Sequence, residues 1–169
     1  MIIAAEDAIL EAWRSLCADP RFHGVPYKIE TDERGRIVMS PTKNYHGFFA
    51  SRINRWLERL MADGSTGNEI GVVTAKGVKV PDSVWVSPER FRTIFGEAAS
   101  SVAPEICVEI VSAANSPKEF AQKRELYFQA GAKEVWTCDA EGVMRFFTPQ
   151  GEVRRSGLCP KFPKCIGAK

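Results

Sequence analysis

The sequence has no Cys-x-x-Cys pair and no spacing of Cys and His that is typical of a zinc site. Its five cysteines are odd in number and widely spaced, and the 169 residues include only two histidines. We therefore expect no zinc site built from these residues, and we take a reducing cytoplasm as the expected compartment.

Long apolar runs and a strong net charge are also missing. The longest apolar runs have the length of a strand, which argues against a membrane-spanning segment. The first residues carry Glu6, Asp7 and Glu11 within an apolar pattern and have no basic region, so they predict a helix and not a signal peptide. A formal charge of +2 neither requires nor excludes a polyanionic partner, because a local patch matters more than the total.

What is present is the composition of an ordinary globular protein, with 44% apolar and 26% charged residues. We expect one domain over residues 1–169, with its core in about residues 27–166. The order of elements is typical of an α/β layered domain with a mixed sheet. Helices are predicted at residues 4–18, 43–62 and 117–130, and strands at 26–41 (a hairpin), 69–73, 77–86, 105–112, 134–139 and 143–155 (a hairpin).

Asp82 is the first of three charged residues that lie where the pattern predicts an apolar side chain. In the predicted strand 77–86, alternate positions share one face, and the other positions on the face of Asp82 are all valines. The alternative is that Pro81 and Asp82 form a kink at a strand end, where aspartate bonds to local backbone.

Glu109 is the second such residue. It stands in the middle of the stretch EICVEIVS, which predicts a strand covered on both faces. Desolvating a lone carboxylate there costs several kcal/mol, so the chain has to supply a partner. The alternative is a carboxylate at the end of a sheet that reaches water or a structural arginine.

Lys123 is the third, near the middle of the apolar stripe of the predicted helix 117–130. The alternative is that its stem packs while its ammonium reaches water. Because this helix follows directly on strand 105–112, its apolar face is expected to pack back onto the sheet, with Lys123 pointing toward Glu109. One shared polar site explains the three positions more simply than three separate exceptions.

Two carboxylates and a lysine suit the cleavage of a phosphodiester. Carboxylate oxygens bind a hard cation, which polarises the phosphoryl group and lowers the pKa of an attacking water. An ammonium orients the nucleophile and offsets developing charge. Paired carboxylates also serve glycoside hydrolysis, but the lysine and the lack of an identifiable aromatic sugar platform favour phosphodiester chemistry.

Two stretches, VPDSVWVSPERF and APEICVEIVSAANSPKEFAQKRELYFQAGAKEVWTCD, resemble the Uma-two family, a branch of the PD-(D/E)XK nuclease superfamily. VMSPTKNYHGFFASRINRWL and SGLCPKFPKCI resemble further parts of the family, so the resemblance covers about residues 27–166. The signature positions in this chain are Pro81–Asp82, Val108–Glu109–Ile110, Lys123, Tyr127, Gly131 and Glu134–Trp136.

The resemblance implies a restriction-endonuclease-like α/β fold. It implies three α/β/α layers around a central mixed four-stranded sheet, with an N-terminal helix and hairpin and a C-terminal hairpin. It also implies one Mg²⁺ site, where Mn²⁺ can substitute, with Asp82, Glu109 and the Ile110 main-chain carbonyl as ligands. In the wider superfamily the lysine lies two residues after the acid, which is Val111 here, so the role falls on Lys123.

Further residues are secondary candidates for the site. Glu69 is a candidate for an auxiliary metal or water role, with a plain charge at a strand end as the alternative. His46 either borders the site or is a hydrogen-bonded core histidine. A stripe of arginines suits either phosphate contacts or a solvated face. These are Arg52, Arg55 and Arg59.

The sequence thus predicts a metal-dependent phosphodiesterase, specifically an endonuclease with double-stranded DNA as its partner. A homodimer is compatible with cutting two strands, although the sequence shows no interface. The alternative is a catalytically inactive module that keeps the fold and binds nucleic acid or protein, with Glu109 and Lys123 as a structural salt bridge. That alternative leaves Asp82 without a role, which favours the nuclease.

Overall fold

The computed structural model describes residues 2–112 and 116–167, which contain both helices and strands. The helices are α1 (Ile2–Ala18), α2 (Asn44–Leu60), α3 (Pro88–Ile94) and α4 (Pro117–Gln129), with a short 3-10 helix at Pro20–Phe22. The strands are β1 (Tyr27–Thr31), β2 (Ile37–Pro41), β3 (Ser65–Gly67), β4 (Val72–Thr74), β5 (Gly77–Lys79), β6 (Ser83–Val86), β7 (Ile106–Ile110), β8 (Glu134–Cys138), β9 (Met144–Thr148) and β10 (Gly151–Val153). No helix in the described part of the chain is long and apolar enough to cross a membrane.

The main sheet is mixed and has the strand order β10-β9-β8-β7-β6-β3. Strands β7 and β8 pair in parallel, while every other pairing in this sheet is antiparallel. The predicted mixed α/β fold is confirmed. The sheet has six strands because the predicted C-terminal hairpin extends the edge of β8, and β3, which was not predicted, extends the edge of β6.

Helices α2 and α4 cover opposite faces of this sheet, which gives the predicted layers. Phe49, Ile53 and Leu57 of α2 pack on the face that carries Ile106 and Val108. Alternate residues of β7 point the other way. Cys107 therefore joins Tyr127 of α4 in a second apolar cluster, and Glu109 lies on that same face as a buried carboxylate.

Two small sheets lie beside the main one. The hairpin β1–β2 and the hairpin β4–β5 are each antiparallel, and α1 packs on the second through Trp13 and Leu16 against Val78 and Val80. Gly77 starts β5 with a φ of 86°, and a Cβ there would overlap the Thr31 carbonyl oxygen, so the turn requires glycine.

The predicted continuous strand 77–86 is wrong. It is two strands, β5 and β6, which belong to different sheets. Pro81 has no N–H to donate to a ladder, and the chain bends at Asp82 before β6 begins. The alternative of a kink at Pro81–Asp82 is therefore the correct description of the backbone.

The predicted strand at 69–73 is also displaced. Strand β4 begins at Val72, and Glu69 lies before it in an exposed turn with a φ of 55°. Between β6 and β7 lies α3, which is capped at its start by Ser87, whose side chain accepts the N–H of Arg90.

Candidate metal and phosphodiester site

Asp82 and Glu109 converge on one cation, the ammonium of Lys28. The Lys28 Nζ lies 2.7 Å from Asp82 Oδ1 and 3.2 Å from Glu109 Oε2. The exposed fractions of these side chains are 11% for Lys28, 11% for Asp82 and 5% for Glu109, so water screens the charges poorly. Strand β1 supplies Lys28 because its residues alternate, and Ile29 packs toward α1 on the opposite face.

The backbone of β7 fixes the position of Asp82. The Ile110 N–H donates to Asp82 Oδ2 at 2.6 Å, and the Asp82 N–H donates to the Val108 carbonyl at 2.9 Å. The Asn68 side chain donates to the Asp82 carbonyl at 2.7 Å. The kink after Pro81 thus places this carboxylate at the end of β7, one residue beyond Glu109.

Helix α4 holds the other oxygen of Glu109. The Tyr127 hydroxyl donates to Glu109 Oε1 at 2.6 Å, and Lys123 Nζ lies 2.9 Å from the same oxygen. Residues four apart share one face of a helix, so Lys123 and Tyr127 reach Glu109 together. Lys123 Nζ also lies 2.6 Å from Glu30 Oε1, an oxygen that accepts the Val80 N–H at 2.8 Å.

The protonation states follow from burial and from neighbouring charge. Burial alone raises the pKa of Glu109, but Lys123, Lys28 and the Tyr127 hydroxyl outweigh it and hold that pKa below its ordinary value. Burial opposes the charge of Lys28, yet Glu109 and Asp82 raise its pKa. Burial and the charge of Glu109 raise the pKa of Asp82. Burial and Glu109 also raise the pKa of Tyr127, so its hydroxyl stays a donor.

A cavity of about 560 Å³ lies against these charges, and Lys28, Glu30, Asp82, Glu109 and Lys123 are in its wall. An adjoining cavity of about 600 Å³ shares Asp82 with it. These volumes are within the range of sites that bind small ligands or segments of larger ones.

His46 lines both cavities, as expected for a residue that borders the site. Its Nε2 is buried and has no hydrogen-bond partner among the described residues. Burial lowers the pKa of His46, which favours the neutral ring. The Tyr45 ring packs edge-on at 4.5 Å and holds the imidazole in place.

The donor set suits a hard divalent cation. Asp82 Oδ1 and Glu109 Oε2 already face one cationic atom, and carboxylate oxygens are the ligands that Mg²⁺ prefers. In the described ranges 2–112 and 116–167, no third Asp, Glu, His or Cys completes a set of three. Mg²⁺ is commonly held by one or two carboxylates and retains several waters, so the two present are enough.

The other predicted residues are less close to this centre. Ile110 contributes its N–H to Asp82, while a ligand role for its carbonyl stays a prediction. Glu69 is exposed in its turn, although it lines the cavity that contains Asp82. The Arg52 guanidinium donates to the Ile166 carbonyl at 3.0 Å and to the Gly167 carbonyl, so it holds the C-terminal segment.

The remaining arginines differ from each other. Arg55 is exposed and lines the cavity beside Asp82, which suits a phosphate contact. Arg59 lies further along α2, with its guanidinium 5.9 Å from the centre of the Trp56 ring.

Sequence reasoning missed Lys28 and Glu30, and it identified Tyr127 as a signature position without assigning a role to its hydroxyl. Lys28 and Glu30 alternate with Ile29 in a hairpin strand, a pattern that is also typical of a solvated face. Opposite charges two residues apart on one strand face were the available signal. Periodicity gave no signal for the Tyr127 hydroxyl, because a buried tyrosine and a buried phenylalanine follow the same pattern, and only the family signature marked this position.

The sequence matches the model of the Uma2 family, described as "Putative restriction endonuclease", over residues 20–161. The chain therefore belongs to the Uma2 family.

A solved structure supports the same fold. It is a "putative nuclease belonging to DUF820" from Anabaena variabilis ATCC 29413, with a TM-score of 0.67 and 17% sequence identity. The match covers 82% of this chain and 87% of that one. Among curated proteins, no significant match was found.

Proposed function

We propose that this protein hydrolyses phosphodiesters with a bound divalent metal, Mg²⁺ or Mn²⁺, as an endonuclease on double-stranded DNA. The observation that carries the proposal is the convergence of Asp82 Oδ1 and Glu109 Oε2 on one cationic position, with Lys123 bonded to the same glutamate. Family membership supports it, because the family description names a restriction endonuclease.

Each residue of the site has a role that follows from its position. Asp82 and Glu109 would hold the ion, which supplies Lewis-acid activation of the phosphoryl group when bound. Tyr127 and the Ile110 N–H keep the two carboxylates oriented. Lys123 faces the cavity as an ammonium held by Glu30 and Glu109, where it can orient a water and offset charge on the phosphate.

The same proposal covers the surroundings of the site. Arg55 and His46 are the candidates for contacts to the substrate, since both line the cavity that contains Asp82. A homodimer would present two such sites to two strands.

All five cysteines of the protein are free thiols, which suits the reducing cytoplasm proposed as the compartment of the protein.

The test is cleavage of supercoiled plasmid with Mg²⁺ or Mn²⁺ by the wild type and by Asp82→Asn, Glu109→Gln and Lys123→Met. Each variant is expected to lose at least about 100-fold in rate. Asp82→Asn and Glu109→Gln each remove a carboxylate that would hold the ion, and Lys123→Met removes the ammonium that would offset charge on the phosphate. Lys118→Met is the control for Lys123→Met, since Lys118 lies on the same helix and is exposed. Cleavage that survives Glu109→Gln or Lys123→Met would remove those residues from the mechanism.

A second candidate function is a non-catalytic module that binds nucleic acid or protein. The Lys28 ammonium favours it, because a cation of the chain itself already neutralises Asp82 and Glu109. Calorimetry with Mg²⁺ separates the two: an active site binds the ion and loses that binding in Asp82→Asn, whereas a purely structural ion pair binds none.

A further inference from the structure

The position between Asp82 and Glu109 is taken by a side chain of the protein itself. Lys28 Nζ contacts one oxygen of each carboxylate, at 2.7 and 3.2 Å, and its side chain is only 11% exposed. These are the same two oxygens that face a common point and make the pair suitable for a metal. A divalent ion and this ammonium therefore require the same oxygens.

The surrounding charge makes joint occupancy unfavourable. The carboxylates of Glu30, Asp82 and Glu109 are already in contact with the ammonium groups of Lys28 and Lys123. A dication added beside Lys28 would meet a like charge within a few ångströms among side chains that are only 5–11% exposed, where such repulsion is strong. Lys123 bonds the opposite oxygen of Glu109 and can remain.

We propose that the Lys28 ammonium is the resident cation of the Asp82–Glu109 site and that a divalent metal binds there only by displacing it. The inference deepens the proposed function and rests on its metal site. Lys28 is thus a positioning residue that sets the metal affinity: it keeps the two carboxylates paired and ordered without metal, and it lowers their affinity for one.

The test is calorimetric titration of the full chain with Mn²⁺. Lys28→Met keeps the length of the side chain and removes its charge, so it is expected to bind Mn²⁺ at least tenfold more tightly than wild type. A tenfold change in Kd corresponds to about 1.4 kcal/mol in the free energy of binding. Lys28→Arg keeps the charge and is expected to retain the wild-type affinity. Lys79→Met is the matched control, because Lys79 lines the same cavity but donates to the Thr31 carbonyl at 2.7 Å.

Thermal unfolding with and without Mn²⁺ is a second measurement, which remains informative where a variant folds poorly without metal. Removing Lys28 leaves two buried carboxylates without their cation, so Lys28→Met and Lys28→Gln are expected to unfold at lower temperature than wild type in a chelator. Addition of Mn²⁺ should raise their Tm by more than it raises that of wild type.

The outcomes separate this inference from the proposed activity. Equal or weaker Mn²⁺ binding by Lys28→Met, with no larger rise in Tm, overturns the displacement of Lys28 even where the wild type cleaves DNA. Tighter binding by Lys28→Met supports it even where no variant cleaves DNA, and in that case the nuclease proposal fails alone.

Discussion

At the scale of single residues, Glu109 shows how a buried carboxylate is compensated. Its side chain accepts from Tyr127 and contacts two ammonium groups, those of Lys28 and Lys123, at 3.2 Å or less. An isolated charge would be expelled or protonated at such a position, but here it stays ionised. The apparent exception in a core strand is therefore the centre of the site.

Tyr127→Phe tests one of these contacts alone. The variant keeps the buried ring and removes the donor to Glu109, so we expect a loss of about 1–3 kcal/mol in the free energy of unfolding. Urea denaturation measures it. Tyr27→Phe is the control, because Tyr27 is 47% exposed and should change stability little. Equal stability of the two variants would mean that this hydrogen bond contributes nothing net.

At the scale of elements, the periodic pattern predicted helix α4 but did not predict the break between β5 and β6. Ser116, Pro117 and Glu119 form a local signal, and the structure contains the full capping box with Pro117 in the first turn. The break at Pro81–Asp82 depends on which strands pair with which, and β5 and β6 join different sheets. Alternation of valines continues across the break, so periodicity could not reveal it.

Ser116→Ala tests this cap. The Ser116 hydroxyl accepts the Glu119 N–H at 3.2 Å, and Glu119 accepts the Ser116 N–H in return. We expect a loss of about 1 kcal/mol in the free energy of unfolding, measured by urea denaturation. Lys118→Ala, at an exposed position of the same first turn, should lower the free energy of unfolding by less than half of that amount. A cost shared equally by both variants would contradict a specific capping effect.

Glu105 joins β7 to the start of α3. Its carboxylate accepts the Ser87 hydroxyl at 2.6 Å and the Ser87 N–H at 3.1 Å, with the Arg90 guanidinium at 3.5 Å. Burial raises its pKa, but these contacts outweigh burial and leave the pKa below the ordinary 4.5. Because the folded pKa is depressed, this stabilisation is complete above pH 4.5 and is lost as pH falls through the folded value.

Glu105→Gln is therefore expected to lower the free energy of unfolding by about 1–3 kcal/mol at neutral pH. The difference from wild type should shrink as the pH falls from 4.5 through the lower folded pKa of Glu105, since the side chain of folded wild type then also becomes neutral. Urea denaturation across this range measures both. The exposed Glu125, changed to Gln, is the control for loss of a carboxylate. A difference that stays constant with pH would show that the charge is not what stabilises this junction.

At the scale of the whole molecule, the site exists only because four separate parts of the chain meet. The β1–β2 hairpin brings Lys28 and Glu30, and the kink between β5 and β6 brings Asp82. Strand β7 brings Glu109, and α4 brings Lys123. Sequence reasoning could place Lys123 near Glu109 because α4 follows β7 directly. It could not place Lys28, because no local sequence pattern predicts which face of the separate β1–β2 hairpin packs toward Asp82 and Glu109.

The molecule as a whole carries a charge of only +2, so any affinity for DNA has to come from a local surface. Arg55 is the arginine of α2 that lines the cavity beside Asp82, whereas Arg52 is engaged with the Ile166 and Gly167 carbonyls. Binding of duplex DNA should weaken with salt, because each phosphate contact releases condensed counterions.

Arg55→Gln is expected to weaken binding of duplexes of different sequence alike and to reduce the slope of log K against log salt by about 0.9. Fluorescence anisotropy over a salt series, with Asp82→Asn as background to prevent cleavage, measures this slope. Arg14→Gln is the control, because Arg14 is an exposed arginine of α1 paired with Glu11 on its own helix. If Arg14→Gln lowers the slope as much as Arg55→Gln, duplex DNA is held by diffuse charge and not by the surface that leads to Asp82 and Glu109.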